Sequence, residues 1–215
     1  MPAEEVNARR REILDAALAI ADEQGLDAVT MRAVAARVGL TPMALYPHVG
    51  GKDGLLDGIV ERLLAELLPM LQASGGAEDR LRSVALAVRG VARRHPSAFS
   101  LMLSRPSVTP GSLRELDALY QTLLDAGVPP EHVTRVERLL STFALGFAVS
   151  EVSGRFRPDD VRTGRGRLDP SHYPAHARLG PLLDRAIDWD AEYEADLDDL
   201  TFLIRHRWST KDSSG

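Results

Sequence analysis

Residues 30–56, TMRAVAARVGLTPMALYPHVGGKDGLL, leave the chain little choice of local structure. Thr30 is placed to cap a helix with its hydroxyl, and Met31, Val34, Ala35 and Val38 follow at the three-and-four spacing that turns one apolar face inward. Gly39 supplies a turn. Thr41 can cap a second helix, and Pro42 stands at its first position, where a missing N–H costs nothing. Leu45 and Val49 anchor that helix inward, which leaves Pro42, Met43, Ala44, Tyr46 and His48 on or near its outer surface. Two short helices joined by a glycine turn, with small, polar and aromatic groups facing out, form the pattern by which a helix is set into a DNA major groove. Pro47 lacks an N–H and disfavours helical geometry at Tyr46, so the second helix is expected to end there.

Four pieces agree in order and spacing: a preceding helix with Ile13, Leu14, Ala17, Leu18 and Ala21 inward, then Gly25, then TMRAVAARVGL, then LYPHVGGKDGLLD. In these residues the chain resembles the tetracycline-repressor (TetR) family of bacterial transcription regulators. The string carrying Leu45, Tyr46, His48, Val49, Lys52, Leu55 and Leu56 is its most specific part, because an unrelated helical hairpin has no reason to hold Tyr, His and Lys at those offsets. Pro47 departs from the family pattern, since such regulators more often carry there a side chain able to touch DNA. The resemblance implies that Thr30, Tyr46, His48 and Lys52 hold phosphates while Arg32, Thr41, Pro42, Met43 and Ala44 lie nearest base edges. Phosphate contacts position the protein and base contacts specify the sequence. A packed aromatic supporting the helix is the competing role for Tyr46.

The 215 residues carry a net charge of −5, which taken alone argues against nucleic acid. Residues 1–52 are closer to balance, with six basic groups (Arg9, Arg10, Arg11, Arg32, Arg37, Lys52) against seven acidic ones. A nearly neutral head grips arbitrary DNA poorly, so binding depends on a few placed contacts and on pairing two heads. Arg9, Arg10 and Arg11 can reach a phosphate or a minor groove, or can form an ordinary solvated face. There are no cysteines, which excludes disulfides and thiolate metal sites and is compatible with a cytoplasmic protein. The longest apolar stretch, near Leu139 to Ser150, is too short to cross a bilayer, and the charged N-terminus does not read as a signal peptide.

Beyond the head, hydrophobic periodicity and Pro/Gly punctuation predict helices over 53–72, 78–95, 97–104, 110–126, 130–155, 175–188 and 190–208, with no strand alternation. Residues 157–172 are rich in Gly, Pro and charge and read as a mobile loop, and 209–215 as a disordered tail. The expected fold is therefore all-α: a three-helix DNA-binding head over 1–52 and a larger helical domain over 53–208. The acidic run Glu192, Glu194, Asp196, Asp198 and Asp199 reads as a solvated helix start.

The resemblance further implies a homodimer, a ligand cavity and a switch between them. For the dimer, Val136, Leu139, Leu140, Phe143, Phe147 and Val149 of 130–155 and Leu197, Leu200, Leu203, Ile204 and Trp208 of the last helix supply apolar surface; the pattern alone establishes only burial. For the cavity, candidates are Leu67, Met70, Phe99, Met102, Leu103, Tyr120, Phe143 and Phe147, with Ser141, Thr142, Ser150 and Glu151 as orienting polar groups. Ordinary core packing explains the same residues, and Arg155 is a nearby partner for Glu151. Asp169, His172 and His176 are close in sequence, but Pro174 interrupts the helix that would align the two histidines for a metal. No catalytic motif and no cofactor signature is present, so neither an enzyme nor a cofactor is expected. The expected function is a ligand-responsive repressor reading a roughly palindromic operator in double-stranded DNA as a homodimer, with a small, largely apolar effector and no membrane role. An activator, an effector-independent DNA binder, and a helical ligand-binding protein or enzyme that does not read DNA are the alternatives.

Overall fold

The computed structural model describes residues 3–105, 108–156, 169–183 and 185–208, with side chains from Asn7 to Arg207 within those spans. Among the described residues there are helices and turns and no strand. The head is built from α1 (Ala3–Gln24), a 3-10 turn at Leu26–Ala28, α2 (Met31–Arg37) and α3 (Pro42–Val49). Ile13, Leu14, Ala17, Leu18 and Ala21 are buried along one face of α1, and meet Val34 and Ala35 of α2 and Leu45 of α3. Both expected caps form: the Thr30 hydroxyl accepts from the Ala33 N–H at 3.1 Å and the Thr41 hydroxyl from the Ala44 N–H at 3.3 Å. Between them Gly39 has φ +67°, a conformation that side-chain-bearing residues adopt only at a cost.

Helix α3 does not stop at Pro47 but continues to Val49. Proline removes one hydrogen bond, the one that would reach the Met43 carbonyl. The turn is carried past it by Gly50, whose N–H donates to the Tyr46 carbonyl at 2.8 Å. Loss of a single bond is tolerable where tertiary packing holds the helix on both sides.

The expected helix over 53–72 is two elements, α4 (Lys52–Ala65) and α5 (Leu68–Leu71). Pro69 cannot donate to the Ala65 carbonyl, and the chain tightens instead, with the Leu67 N–H on the Leu64 carbonyl at 2.8 Å. There follow α6 (Ala77–Arg94), α7 (Pro96–Phe99) and α8 (Leu101–Ser104), the last two replacing the single helix expected at 97–104. Arg105, which precedes Pro106, is extended, as a residue before proline prefers. The body is completed by α9 (Pro110–Asp125), α10 (Pro130–Val152), α11 (Pro174–Leu183) and α12 (Trp189–Trp208). Helix α9 opens on a reciprocal capping box between Thr109 and Ser112. Helix α10 ends three residues earlier than expected because the chain folds back, with the Arg155 N–H on the Ser150 carbonyl at 2.9 Å. Of the loop expected at 157–172, residues 157–168 lie outside the described residues, as do the tail 209–215 and the side chain of Trp208; Asp169 to His172 form a turn held by Ser171.

One hydrophobic cluster runs from the head into the body. Leu55, Ile59 and Leu63 of α4 are fully buried between α1 and the body helices, and the same cluster continues through Val91, Ala92, Ala98, Phe99 and Ala148. It passes without interruption across the boundary expected at 52/53. A smaller cluster joins Leu123 and Val128 with Val133 and Val136 of α10. Polar contacts follow the same seam: Arg10 donates to both Glu61 oxygens at 2.7 and 3.0 Å, and the His95 ring lies between Asp22 (2.7 Å) and Glu66 (2.9 Å).

The crossing of α1 and α4 is set by Gly58, where an added Cβ would sit 2.1 Å from a Leu14 methyl. Gly58→Ala is therefore expected to lose about 1–3 kcal/mol in urea denaturation although alanine is the better helix former, and Leu14→Ala in the same chain should recover part of that loss.

Candidate nucleic-acid interface and cavity

Thr41 and Pro42 begin α3 on the surface, Met43 is 74% exposed, Tyr46 is 47% exposed, and Leu45 between them is fully buried. The outward set is thus displayed by one inward anchor. Tyr46 stands on the surface and not in the core, which leaves its hydroxyl free to meet a phosphate. Because the Thr30 and Thr41 hydroxyls cap as acceptors, each O–H remains available to donate. Ala44 and His48 are half-buried, and His48 Nδ1 is buried with no hydrogen-bond partner among the described residues.

The start of α4 is fixed against the end of α3: a Cβ on Gly54 would lie 1.7 Å from the Val49 carbonyl oxygen. Lys52 is exposed at the first position of α4, and a Cβ on its neighbour Gly51 would lie 3.9 Å from the Tyr46 ring, so the start of α4 adjoins the Tyr46 side of α3. The head's cations divide into two groups. Arg9 pairs with Glu12, Arg10 with Glu61 and Arg37 with Glu23, whereas Arg11, Arg32 and Lys52 have no ion-pair partner among the described residues. Arg32 and Lys52 are exposed on the α2–α3 and α4 side of the head.

In the body a cavity of about 270 Å³ lies among α4, α5, α6, α8, α9, α10 and α12. Val60 and Leu64 of α4 and Leu67, between α4 and α5, contribute one side, and Leu116, Leu119 and Leu140 line it as well. Of the candidates read from the sequence, Leu67, Met102, Phe143 and Ser141 line it. Met70, Tyr120, Thr142 and Ser150 lie outside its wall; Phe99 is fully buried in the main cluster and Leu103 is half exposed. Phe147 is held in an aromatic group with Phe143, Phe156, Trp189 and Tyr193.

Glu151 also lies outside the cavity and is committed elsewhere. Its partners are not Arg155 but Arg89 and Arg93 of α6, which donate at 2.6–2.8 Å and 2.7–3.3 Å, and both arginines also reach Asp190 of α12. Burial opposes ionisation of Glu151, but the bonds from Arg89 and Arg93 outweigh it and hold its carboxyl at about 2. Arg89 lies over the rings of Phe147 and Tyr193 as well. Tyr193 is fully buried, burial pushes its hydroxyl well above the ordinary phenol range, and the O–H donates to the Ala85 carbonyl at 2.8 Å. The acidic start of α12 is correspondingly not just a solvated face, because Glu194 and Asp198 both accept from Arg82.

Most polar groups on the cavity wall are satisfied by the protein itself. Glu78 accepts from Arg205, Arg82 is paired as above, and Ser112 is engaged with Thr109. Ser141 and Thr201 donate to carbonyls of their own helices, at 3.4 and 2.8 Å. Glu115 and Glu137 are the exceptions: Glu137 is half-buried without a hydrogen-bond or ion-pair partner among the described residues, and Glu115 is 8% exposed, its Oε2 atom buried with no hydrogen-bond partner among them. Nothing local in the sequence marks Glu115 as facing inward, since Asp117 and Asp125 of the same helix are exposed acids of the same kind.

Among the described residues no cluster of three His, Cys, Asp or Glu side chains is placed to hold a metal ion; Asp169 is engaged by Ser171 and by His172 at 3.2 Å, and Tyr173 packs edge-on against His176. No described helix is long and apolar enough to cross a membrane.

An exposed second helix of a helix-turn-helix, mounted through α4 on a helical body with its own cavity, defines a DNA-binding transcriptional regulator of the two-domain helical kind. The family profile "Bacterial regulatory proteins, tetR family" matches residues 13–59, and the profile "Tetracyclin repressor-like, C-terminal domain" matches residues 68–198, so the chain belongs to the tetR family. Among curated relatives, the transcriptional repressor DrrR1 of Streptomyces coeruleorubidus is 28% identical over 65% of this chain and about half (52%) of its own length. The class A tetracycline repressor from transposon 1721 of Escherichia coli is 29% identical over 82% of this chain and 78% of its own. Among solved structures, the Streptomyces coelicolor TetR family protein ActR, crystallised in complex with (S)-DNPA, is 25% identical and superposes with a TM-score of 0.78 over 92% of this chain and 97% of its own.

Because the Glu151 carboxyl is depressed in the folded protein, the stability it contributes is complete above the ordinary carboxylate value of 4.5 and is lost as pH falls through about 2. Glu151→Gln is expected to cost on the order of 2–3 kcal/mol at pH 7, with the gap between variant and wild type closing as denaturation is repeated from pH 5 toward pH 2.

Proposed function

We propose that the chain is a homodimeric repressor, released from its operator by a small, largely apolar effector, with no enzymatic activity and a cytoplasmic place of work. The observation that carries this reading is the continuity of α4, whose first residue, Lys52, stands beside the reading helix and whose far half, at Val60 and Leu64, lines the apolar cavity. The relatives that are repressors and the small molecule in the solved relative support the same reading. In it, residues 1–52 and the start of α4 read DNA, and the remainder binds effector and partner. Thr30, Tyr46, His48 and Lys52 hold phosphates, while Arg32, Thr41, Pro42, Met43 and Ala44 face base edges of a roughly palindromic operator.

The dimer joins α10 and α12 of each copy. Its outward apolar groups are Leu139, Phe202 and Leu203, all exposed in the single chain, and not Phe147 or Leu200, which are occupied by the aromatic group and by the cavity wall. Effector release of DNA requires tighter effector binding to the form that does not fit the operator, and by linkage the operator must weaken the effector by the same factor.

A gel-shift with DNA from beside the chain's own gene tests the assignment. Lys52→Ala should weaken binding to all sequences alike and lower the salt slope by roughly one, whereas Arg32→Ala should change which sequences bind, at about 1–3 kcal/mol for a lost bidentate contact. Equal binding by wild type and a folded Tyr46→Ala, Lys52→Ala double variant would remove the phosphate assignment. A mobility unchanged by every cavity-binding compound would remove the effector while leaving the DNA reader in place.

A further inference from the structure

The cavity wall is apolar except for groups that the protein satisfies for itself, with two exceptions, and both are acids. Glu115 of α9 is more than nine-tenths buried, lines the cavity, and has an oxygen with no partner. Glu137 of α10 lines the same cavity, half-buried, and has no hydrogen-bond or ion-pair partner among the described residues. The one cation on the wall, Arg82, is already held by Glu194 and Asp198. A molecule entering this space therefore meets apolar surface and two acids without a partnering cation.

We propose that the effector is a lipophilic amine whose nitrogen is bound by the Glu115 carboxylate, with Glu137 adding a second, weaker attraction. This rests on the reading of the cavity as the effector site and narrows it to one ligand class. Burial pushes the Glu115 carboxyl above its ordinary range, against its own backbone N–H; Glu61 nearby raises it further and Arg114 lowers it. In the empty protein the acid can thus hold its proton and avoid an unpaired buried charge. An arriving free amine takes that proton, and the resulting ammonium and carboxylate pair against a largely apolar wall, where a charge-assisted hydrogen bond is stronger than in water. A ligand without a donor leaves the orphaned oxygen as it was, and an alcohol offers it only a neutral hydrogen bond, weaker than the charge-assisted one. An anionic ligand adds like charge to a site with no cation to receive it. Apolar complementarity supplies the rest of the affinity, and Glu115 decides which apolar molecules are retained.

The test uses three ligands that differ only at one end, 4-phenylbutylamine, 4-phenylbutan-1-ol and 4-phenylbutyrate, titrated calorimetrically into the full-length chain. The amine is expected to bind about tenfold or more tightly than the alcohol, and the carboxylate most weakly. Glu115→Gln, nearly the same shape, should bring amine and alcohol to within about threefold while leaving the alcohol's affinity in place, and Glu137→Gln should narrow the preference by less. Glu115→Leu, checked by circular dichroism, should melt no lower than wild type and should also lose the preference, so that a folding defect in one variant leaves the other to decide. Alcohol or carboxylate binding as tightly as the amine, or a preference that survives both substitutions at Glu115, overturns the inference and leaves the effector cavity standing. Failure of all three compounds to bind overturns the inference and the cavity's proposed role together.

Discussion

The packing of α4 against α1 is the contact on which both halves of the molecule depend. Leu55, Ile59 and Leu63 are fully removed from water there, at roughly 1.5–3 kcal/mol each by transfer, and Gly58 lets the two helices approach to a distance no side chain permits. With α4 held so, Gly54 can lie on the last carbonyl of α3, and the reading helix is presented at one angle. The opposite side of the same helix, at Val60 and Leu64, forms the cavity wall. Arg105 adds a polar tie near its start, donating to Asp53 and Asp57 at 2.7 and 2.6 Å.

Charge is arranged differently in the two halves. In the body, arginines are closed into pairs between helices: Arg82 onto Glu194 and Asp198, Arg89 and Arg93 onto Glu151 and Asp190. Burying Arg89 is tolerable because Glu151 supplies two oxygens and the Phe147 and Tyr193 rings offer their faces. In the head, pairing is selective. Arg9, Arg10 and Arg37 are matched by Glu12, Glu61 and Glu23, whereas Arg11 on α1, Arg32 on α2 and Lys52 at the start of α4 have no ion-pair partner among the described residues. Net charge over 1–52 misleads about nucleic acid because it counts both kinds equally.

The head was legible in the sequence because everything that defines it is local. Caps at Thr30 and Thr41, the turn at Gly39 and the inward anchor Leu45 are all set within a few residues of what they contact. Helix existence in the body was legible for the same reason, and the places where it failed are prolines with opposite outcomes. Pro69 splits a helix and Pro47 does not, a difference decided by packing beyond the reach of either tripeptide. The cavity was the least legible part. Its wall draws on α9 and α12 as well as on α4, and Phe143 and Phe147 both pack on Tyr193, from a helix nearly fifty residues away, while only Phe143 also lines the cavity. Glu151 drew attention as an acid in an apolar run, yet its partner Arg89 is 62 positions back and Arg155 close by was the misleading neighbour.

The uninterrupted core has a consequence for modularity. A cut between residues 52 and 53 would strip α1 of Leu55, Ile59 and Leu63 and leave three helices with an open apolar side. So small a fragment has little surface left to bury. The DNA reader of this chain is thus a unit only when α4 travels with it, yet α4 also carries the cavity side chains Val60 and Leu64. Exchanging heads between relatives by recombination would import part of the donor's cavity along with its reading helix, so that operator preference and ligand preference are inherited as overlapping, not separable, pieces of sequence.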